Sequence, residues 1–147
     1  MSETLAELET HVLDRHGSEM MPNELPVVFV LGAPRTGSTL LYQLLVNAFD
    51  FFYISNLIND AYGSAPALGA ALDVQLNPRE PVAYESQYGK TATCFGPSEG
   101  SAVFRHWFGG AHPSQTASAT VLPKKSAHMT RSLSAMCTMS GRPLLFK

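Results

Sequence analysis

The residues best suited to chemistry lie in one short loop. Residues 32–39 read Gly-Ala-Pro-Arg-Thr-Gly-Ser-Thr, which combines two glycines, three hydroxyl side chains and a single arginine, Arg35. Five apolar residues precede the loop, and apolar residues recur at helical spacing from Thr39 onward. A loop between a strand and a helix N-terminus presents backbone N–H groups and the positive end of the helix dipole to an anion. The sequence therefore predicts a phosphate- or sulfate-binding loop.

The loop differs from that of nucleotide triphosphatases at one position. Its glycine and hydroxyl spacing matches a P-loop, but Ser38 stands where those enzymes have a lysine that contacts the β- and γ-phosphates. Arg35 is the only cation in the loop, and a guanidinium can bind an anion through two hydrogen bonds. In the alternative interpretation, Gly37 only makes a turn, and Ser38 and Thr39 only cap the following helix.

The elements that must position this loop are predicted from hydrophobic patterning. Residues 27–31 are apolar without alternation, which is typical of a central parallel strand buried on both faces. The other predicted elements are a helix ending before Gly17, a strand at 52–54, helices at 57–61 and 124–139, short helices and loops over 63–100, and a strand from 143. We expect an α/β fold, a P-loop-type parallel sheet flanked by helices.

The length and charges of the chain limit its class. A chain of 147 residues allows one domain, which we expect to span 1–147 and to end before its sheet is complete. Residues 1–99 hold all twelve acidic and four basic residues, whereas 100–147 hold six basic residues and no acid, so an anionic ligand fits. The net charge of −2 argues against nucleic acid, and no apolar stretch is long enough for a membrane span.

The remaining features suggest a cytoplasmic protein. No basic and apolar leader opens the chain, and Cys94 and Cys137 lack the spacing of a metal site, so we expect ordinary buried thiols. Lys147, the last residue, is expected to belong to a disordered or non-native terminus. An unfinished sheet edge would favour pairing between copies of the chain, which leaves a homo-oligomer open.

Three segments resemble sulfotransferases that use 3′-phosphoadenosine 5′-phosphosulfate (PAPS). Residues 34–41, Pro-Arg-Thr-Gly-Ser-Thr-Leu-Leu, resemble the 5′-phosphosulfate loop of the arginine-bearing branch of that family. Residues 96–99, Gly-Pro-Ser-Glu, with the aromatic residues after them, look like the acidic acceptor-side segment. Residues 142–147 look like the strand before the second cofactor-binding region, and the family's 3′-phosphate contacts would lie beyond residue 147. The resemblance spans about 26–147 and is weakest between 55 and 95.

The resemblance implies a role for each loop residue. The donor's 5′-phosphate and sulfonate would be held by backbone amides and hydroxyl groups of the loop, contributed by Thr36, Gly37, Ser38 and Thr39. Arg35 would also bind the donor and would stabilise the charge that develops on the bridging oxygen as the sulfuryl group leaves, which is electrostatic catalysis. The resemblance implies PAPS as co-substrate and no metal.

A general base must also take the proton from the acceptor. Glu99 is the first candidate, with Glu85, His106 and His112 behind it. The aromatic residues Phe104, Trp107 and Phe108 either line the acceptor pocket or belong to the core. The prediction is transfer of a sulfuryl group from PAPS to a small-molecule hydroxyl or amine acceptor. Two alternatives stay open, which are a nucleotide or small-molecule kinase and a catalytically inactive fragment that only binds anions.

Overall fold

Three short parallel strands form the sheet around which the chain folds. The computed structural model describes residues 3–22, 24–33, 35–85, 91–109 and 123–147. The strands are β1 (Val27–Phe29), β2 (Phe52–Tyr53) and β3 (Leu144–Phe146), in the spatial order β1-β3-β2. Parallel strands require crossover connections, which are usually helical. The fold is α/β, with a small parallel sheet flanked by helices.

β3 is the central strand, and β1 lies at an edge of the sheet. β1 pairs with one side of β3 and β2 with the other. All of β3 is buried, but Phe29 is 51% exposed and Leu31 is 87% exposed. The prediction that residues 27–31 form a central strand buried on both faces is therefore wrong. An unbroken apolar run indicates a strand, but it does not determine which strand has neighbours on both sides.

Five α-helices and one π-helical segment complete the described part of the chain. They are α1 (Glu3–His16), α2 (Ser38–Ala48), the π-helical segment (Leu57–Ala61), α3 (Pro66–Leu76), α4 (Ser101–Phe108) and α5 (Pro123–Ser140). The predicted helices and strands lie within about two residues of these bounds. None of these helices has both the length and the apolar character needed to cross a bilayer.

The apolar periodicity of α2 does not identify its buried face. Tyr42 and Gln43 are buried, whereas Leu41 and Leu44 are nearly half exposed. The hydroxyl of Tyr42 donates a hydrogen bond to the backbone oxygen of Leu145 at 3.4 Å, which attaches α2 to the central strand. Burial raises the pKa of this phenol, so it stays a neutral donor.

The largest hydrophobic cluster packs helices against β2 and β3. Its members are buried residues of several elements: Phe52, Ile54, Ile58, Ala70, Val103, Trp107, Leu133, Met136, Cys137, Leu144 and Phe146. Burial raises the pKa of the Cys137 thiol to about 11. Cys94 is exposed, so the prediction of buried thiols is right for Cys137 and wrong for Cys94.

A buried carboxylate joins α1 to α3. The two oxygens of Glu9 accept hydrogen bonds from the backbone N–H groups of Ala67 at 3.1 Å and Leu68 at 2.7 Å, in the first turn of α3. His128 Nε2 lies 3.7 Å from Glu9 Oε1, and the rings of His106 and His128 are 5.1 Å apart. Burial raises the pKa of Glu9 and lowers the pKa of both histidines.

Stability is expected to fall as the pH drops through 6.5, the ordinary pKa of histidine. Burial lowers the folded-state pKa of His106 and His128, with further contributions from Lys125 to His106 and from His106 and Arg131 to His128, so folding opposes their protonation. Their contribution is fully present above pH 6.5 and is lost as the pH falls through the folded-state values. Melting curves between pH 8 and pH 5 measure this loss.

The double variant His106→Gln/His128→Gln should show a weaker loss of stability over the same range. Glu9 acts in the opposite sense, because its raised pKa makes its ionisation costly as the pH rises above 4.5. Glu9→Gln should therefore steepen the loss on acidification. If the double variant keeps the wild-type pH dependence, the histidines are not its source.

Candidate functional site

A cleft of about 870 Å³ opens at the carboxyl edge of the sheet. The loop after β1, the residue after β3 and the segment before α4 meet there. The lining residues are Val30, Leu31, Gly32, Ala33, Arg35, Gly37, Ser38, Thr39, Glu99 and Lys147. In parallel α/β sheets this edge is the usual place for a ligand, because all strands end there and loops can differ without disturbing the sheet.

The loop turns sharply into α2. Thr36 donates from its backbone N–H at 3.4 Å and from its Oγ1 at 2.7 Å to the backbone oxygen of Ala33. Gly37 then adopts φ +84°, a left-handed conformation that favours glycine, and accepts the hydrogen bond from the N–H of Leu41 that begins the helix. Arg35 is also left-handed, with φ +65°. Pro34 lies outside the described residues.

The first turn of α2 faces the cleft with its polar atoms. Gly37 occupies the N-cap position, so the alternative in which Ser38 and Thr39 cap the helix is wrong. Within the described residues, no side chain caps the helix. The first N–H groups of an α-helix have no partner inside the helix, so those of the first turn can bind an anion in the cleft.

Lys147 supplies a second cation beside the loop. Its Nζ donates a hydrogen bond to Thr39 Oγ1 at 2.5 Å and forms an ion pair with Glu99 Oε1. The Lys147 side chain is only 12% exposed. The expectation that this residue is disordered is therefore wrong, because Lys147 directly follows β3, and the pairing of Phe146 with Phe29 fixes its backbone at the cleft.

A hydrogen-bonded segment holds Glu99 at the cleft. The N–H of Ser98 bonds to the backbone oxygen of Ile54 at 2.8 Å, and the N–H of Asn56 bonds to that of Gly96 at 2.9 Å. A Cβ at Gly96 would lie 2.0 Å from Oγ1 of Thr91, so only glycine allows this close approach. The segment after β2 therefore fixes the position of Glu99, although the Glu99 side chain itself is 49% exposed.

The structure brings together most, but not all, of the residues that the sequence singles out. Arg35, Gly37, Ser38, Thr39 and Glu99 line the cleft. Thr36 lies in the same loop, with its hydroxyl hydrogen already donated to Ala33.

The other base candidates have different surroundings. Glu85 is exposed and does not line the cleft. His106 lines a separate cavity of about 310 Å³ with His128 and Glu9. His112 lies outside the described residues. Sequence reasoning missed Lys147, whose position directly after an apolar strand is the only sequence feature that could have indicated it.

No family model, curated protein or solved structure matches this chain. Two cations, a helix N-terminus and two hydroxyl groups lie beside one carboxylate, and the described residues contain no cluster of side chains suited to a metal. Such an arrangement can bind a multiply charged anion and can place a carboxylate near a second substrate.

Substitution of Gly37 tests the loop through backbone strain alone. No atom lies within 4 Å of a Cβ built at Gly37, so Gly37→Ala introduces no clash but must adopt φ +84°. We expect a loss of about 1–2 kcal/mol in the free energy of unfolding. Gly141 at the end of α5 is a matched control, with φ +64° and equally open space.

Chemical denaturation and sulfate titration of both variants separate the two effects. Gly37→Ala and Gly141→Ala should lose similar stability, and only Gly37→Ala should weaken anion binding. Equal anion affinity in the two variants would contradict the assignment of the loop as the anion site.

Proposed function

We propose that this protein transfers a sulfuryl group from PAPS to a hydroxyl or amine of a small molecule. One observation carries the proposal: the arginine-bearing loop, Lys147 and Glu99 line a single cleft at the carboxyl edge of a parallel sheet. The resemblance of residues 34–41 to a 5′-phosphosulfate loop supports the choice of donor. In this proposal the strand, loop and helix form a P-loop-type unit.

The loop and Lys147 would hold the phosphate and sulfonate of the donor. Backbone N–H groups of Gly37, Ser38 and Thr39, at the positive end of α2, would donate hydrogen bonds to the anion. The guanidinium of Arg35 would add charge-assisted hydrogen bonds. The ammonium of Lys147 contacts Thr39 and so lies at the first turn of the helix. It offers a cation near Ser38, which stands where a P-loop has its lysine.

In this proposal, Glu99 acts on the acceptor. PAPS supplies an activated sulfuryl group, whose S–O bond to phosphate breaks as a new S–O or S–N bond forms to the acceptor. The carboxylate of Glu99 takes the proton that the acceptor hydroxyl or amine loses. Arg35 and Lys147 stabilise the negative charge that develops on the departing phosphate oxygen, which does not require a metal.

Phosphoryl transfer is the second candidate function, and Lys147 is the observation that favours it. An ammonium beside the helix N-terminus could neutralise nucleotide phosphates as the usual P-loop lysine does. The two candidates differ in their donor, and a binding experiment with both nucleotides separates them.

Calorimetric titration of adenosine 3′,5′-bisphosphate, with ATP plus Mg²⁺ in parallel, tests the proposal. We expect the bisphosphate to bind more tightly than ATP. Arg35→Ala and Lys147→Met should each weaken that binding by about tenfold or more, because each removes a charge-assisted contact. Arg15→Ala is the control, since Arg15 is an exposed arginine on α1 that does not line the cleft.

Tighter binding of ATP with Mg²⁺ would favour the phosphoryl-transfer candidate. Full bisphosphate affinity in Arg35→Ala would remove that arginine from the site. Binding of neither nucleotide would leave the inactive fragment as the better interpretation.

Glu99→Gln separates binding from catalysis. Loss of a carboxylate from the cleft removes repulsion toward the donor, so the affinity for the bisphosphate should be kept or increased. Turnover with PAPS should fall by about a hundredfold or more, because the variant lacks its base. Release of the bisphosphate in the presence of phenols, alcohols or amines measures turnover, and Glu85→Gln is the matched control. Unchanged turnover in Glu99→Gln would place the base elsewhere.

A further inference from the structure

A further cavity adjoins the anion cleft. It has a volume of about 460 Å³ and is lined by Phe29, Leu31, Glu99, Ser101, Phe104, Arg105, Phe108 and Lys147. Glu99, Lys147 and Leu31 also line the cleft, so the two spaces meet at the carboxylate. The volume lies within the range of about 300–1,000 Å³ that is usual for small-molecule pockets.

The walls of this cavity are aromatic and partly exposed. The rings of Phe104 and Phe108 lie nearly parallel, with centroids 6.2 Å apart and an angle of 19° between their planes. The buried ring of Phe146 packs against the rings of Phe29 and Phe104, with centroid distances of 5.5 Å and 6.3 Å, and so supports both walls. Trp107 is buried in the core. Of the three aromatic residues singled out in α4, Phe104 and Phe108 reach the cavity.

One cation lies along the same wall, away from Glu99. Ser101 and Arg105 are four residues apart in α4, so they share a face of the helix, and Arg105 lies about 6 Å along the helix axis from Ser101. Glu99 precedes the helix, so Arg105 lies toward the opposite end. Arg105 is exposed, and it forms no ion pair within the described part of the chain. Phe108 lies nearly one helical turn beyond Arg105 in α4.

We infer that this cavity binds the acceptor and selects a flat apolar molecule that carries a hydroxyl at one end and an anionic group at the other. The inference rests on the proposed function and names the substrate class of the same site. The aromatic walls would hold the body of the acceptor, Glu99 would face its hydroxyl, and Arg105 would bind its carboxylate. Because the carboxylate of the acceptor would pair with Arg105, it would not compete with the donor for Lys147.

Three phenols that differ in the charge of their side chain test this inference. The probes are 3-(4-hydroxyphenyl)propanoate, neutral 4-ethylphenol and cationic tyramine. Calorimetric titration into the chain saturated with adenosine 3′,5′-bisphosphate measures affinity without turnover, and sulfated product formed from PAPS is the second readout. We expect the anionic phenol to bind about tenfold more tightly than the neutral one and tyramine most weakly.

Two variants keep the test independent of folding. Arg105→Glu should reverse the order in favour of tyramine, because Arg105 is exposed and its charge is inverted. Leu31→Ser should weaken the binding of all three phenols, because Leu31 lines the cavity. Leu31 is 87% exposed, so the substitution leaves the core intact. Arg15→Glu on α1 is the charge control and should leave the order unchanged.

Each outcome has a distinct meaning. Equal affinities for the three phenols, or an order that Arg105→Glu does not alter, would overturn the inference. Binding of the bisphosphate without binding of any phenol would overturn it too, while leaving the proposed function in place. Failure of the bisphosphate itself to bind would instead count against the proposed function, on which the inference rests.

Discussion

Parallel pairing of β3 between β1 and β2 is the constraint on which the site depends. The N–H of Val30 bonds to Phe146 at 2.7 Å, and the N–H of Phe52 bonds to Pro143 at 2.9 Å, so both neighbours are tied to the same strand. Because all three strands run in one direction, their carboxyl ends meet at one edge of the sheet. The anion loop, Lys147 and the segment that carries Glu99 converge there as a consequence of this pairing.

Polar groups are also buried beside the sheet. Asn56 follows β2, and its Nδ2 donates to Thr91 Oγ1 and to the backbone oxygens of Thr91 and Thr93, all within 3.0 Å. This amide supplies hydrogen-bond partners to backbone oxygens of the loop before α4, one of which belongs to the buried residue Thr91. The loop that ends in Glu99 therefore has a fixed shape although it has no regular secondary structure.

The sequence predicted the loop well and its surroundings less well. Gly37, Ser38 and Thr39 follow an apolar run and begin an apolar helix, and these local features suffice to predict strand, loop and helix. The order of the strands depends on contacts between residues 92 or 117 positions apart, and a run such as Val27–Phe29 looks the same at an edge as at the centre. The position of Lys147 and the buried face of α2 could not be predicted, because only tertiary contacts determine them.

The ion pair between Lys147 and Glu99 connects the two halves of the candidate site. One ammonium contacts both the first turn of α2, through Thr39, and the carboxylate that faces the neighbouring cavity. An anion bound at the loop would compete with Glu99 for this ammonium, since both are negatively charged and lie within reach of the same Nζ. Weakening of the ion pair would leave the carboxylate more available to accept a proton. In the proposed reaction, occupation of the donor side would therefore prepare the base on the acceptor side, and a single lysine would couple the two.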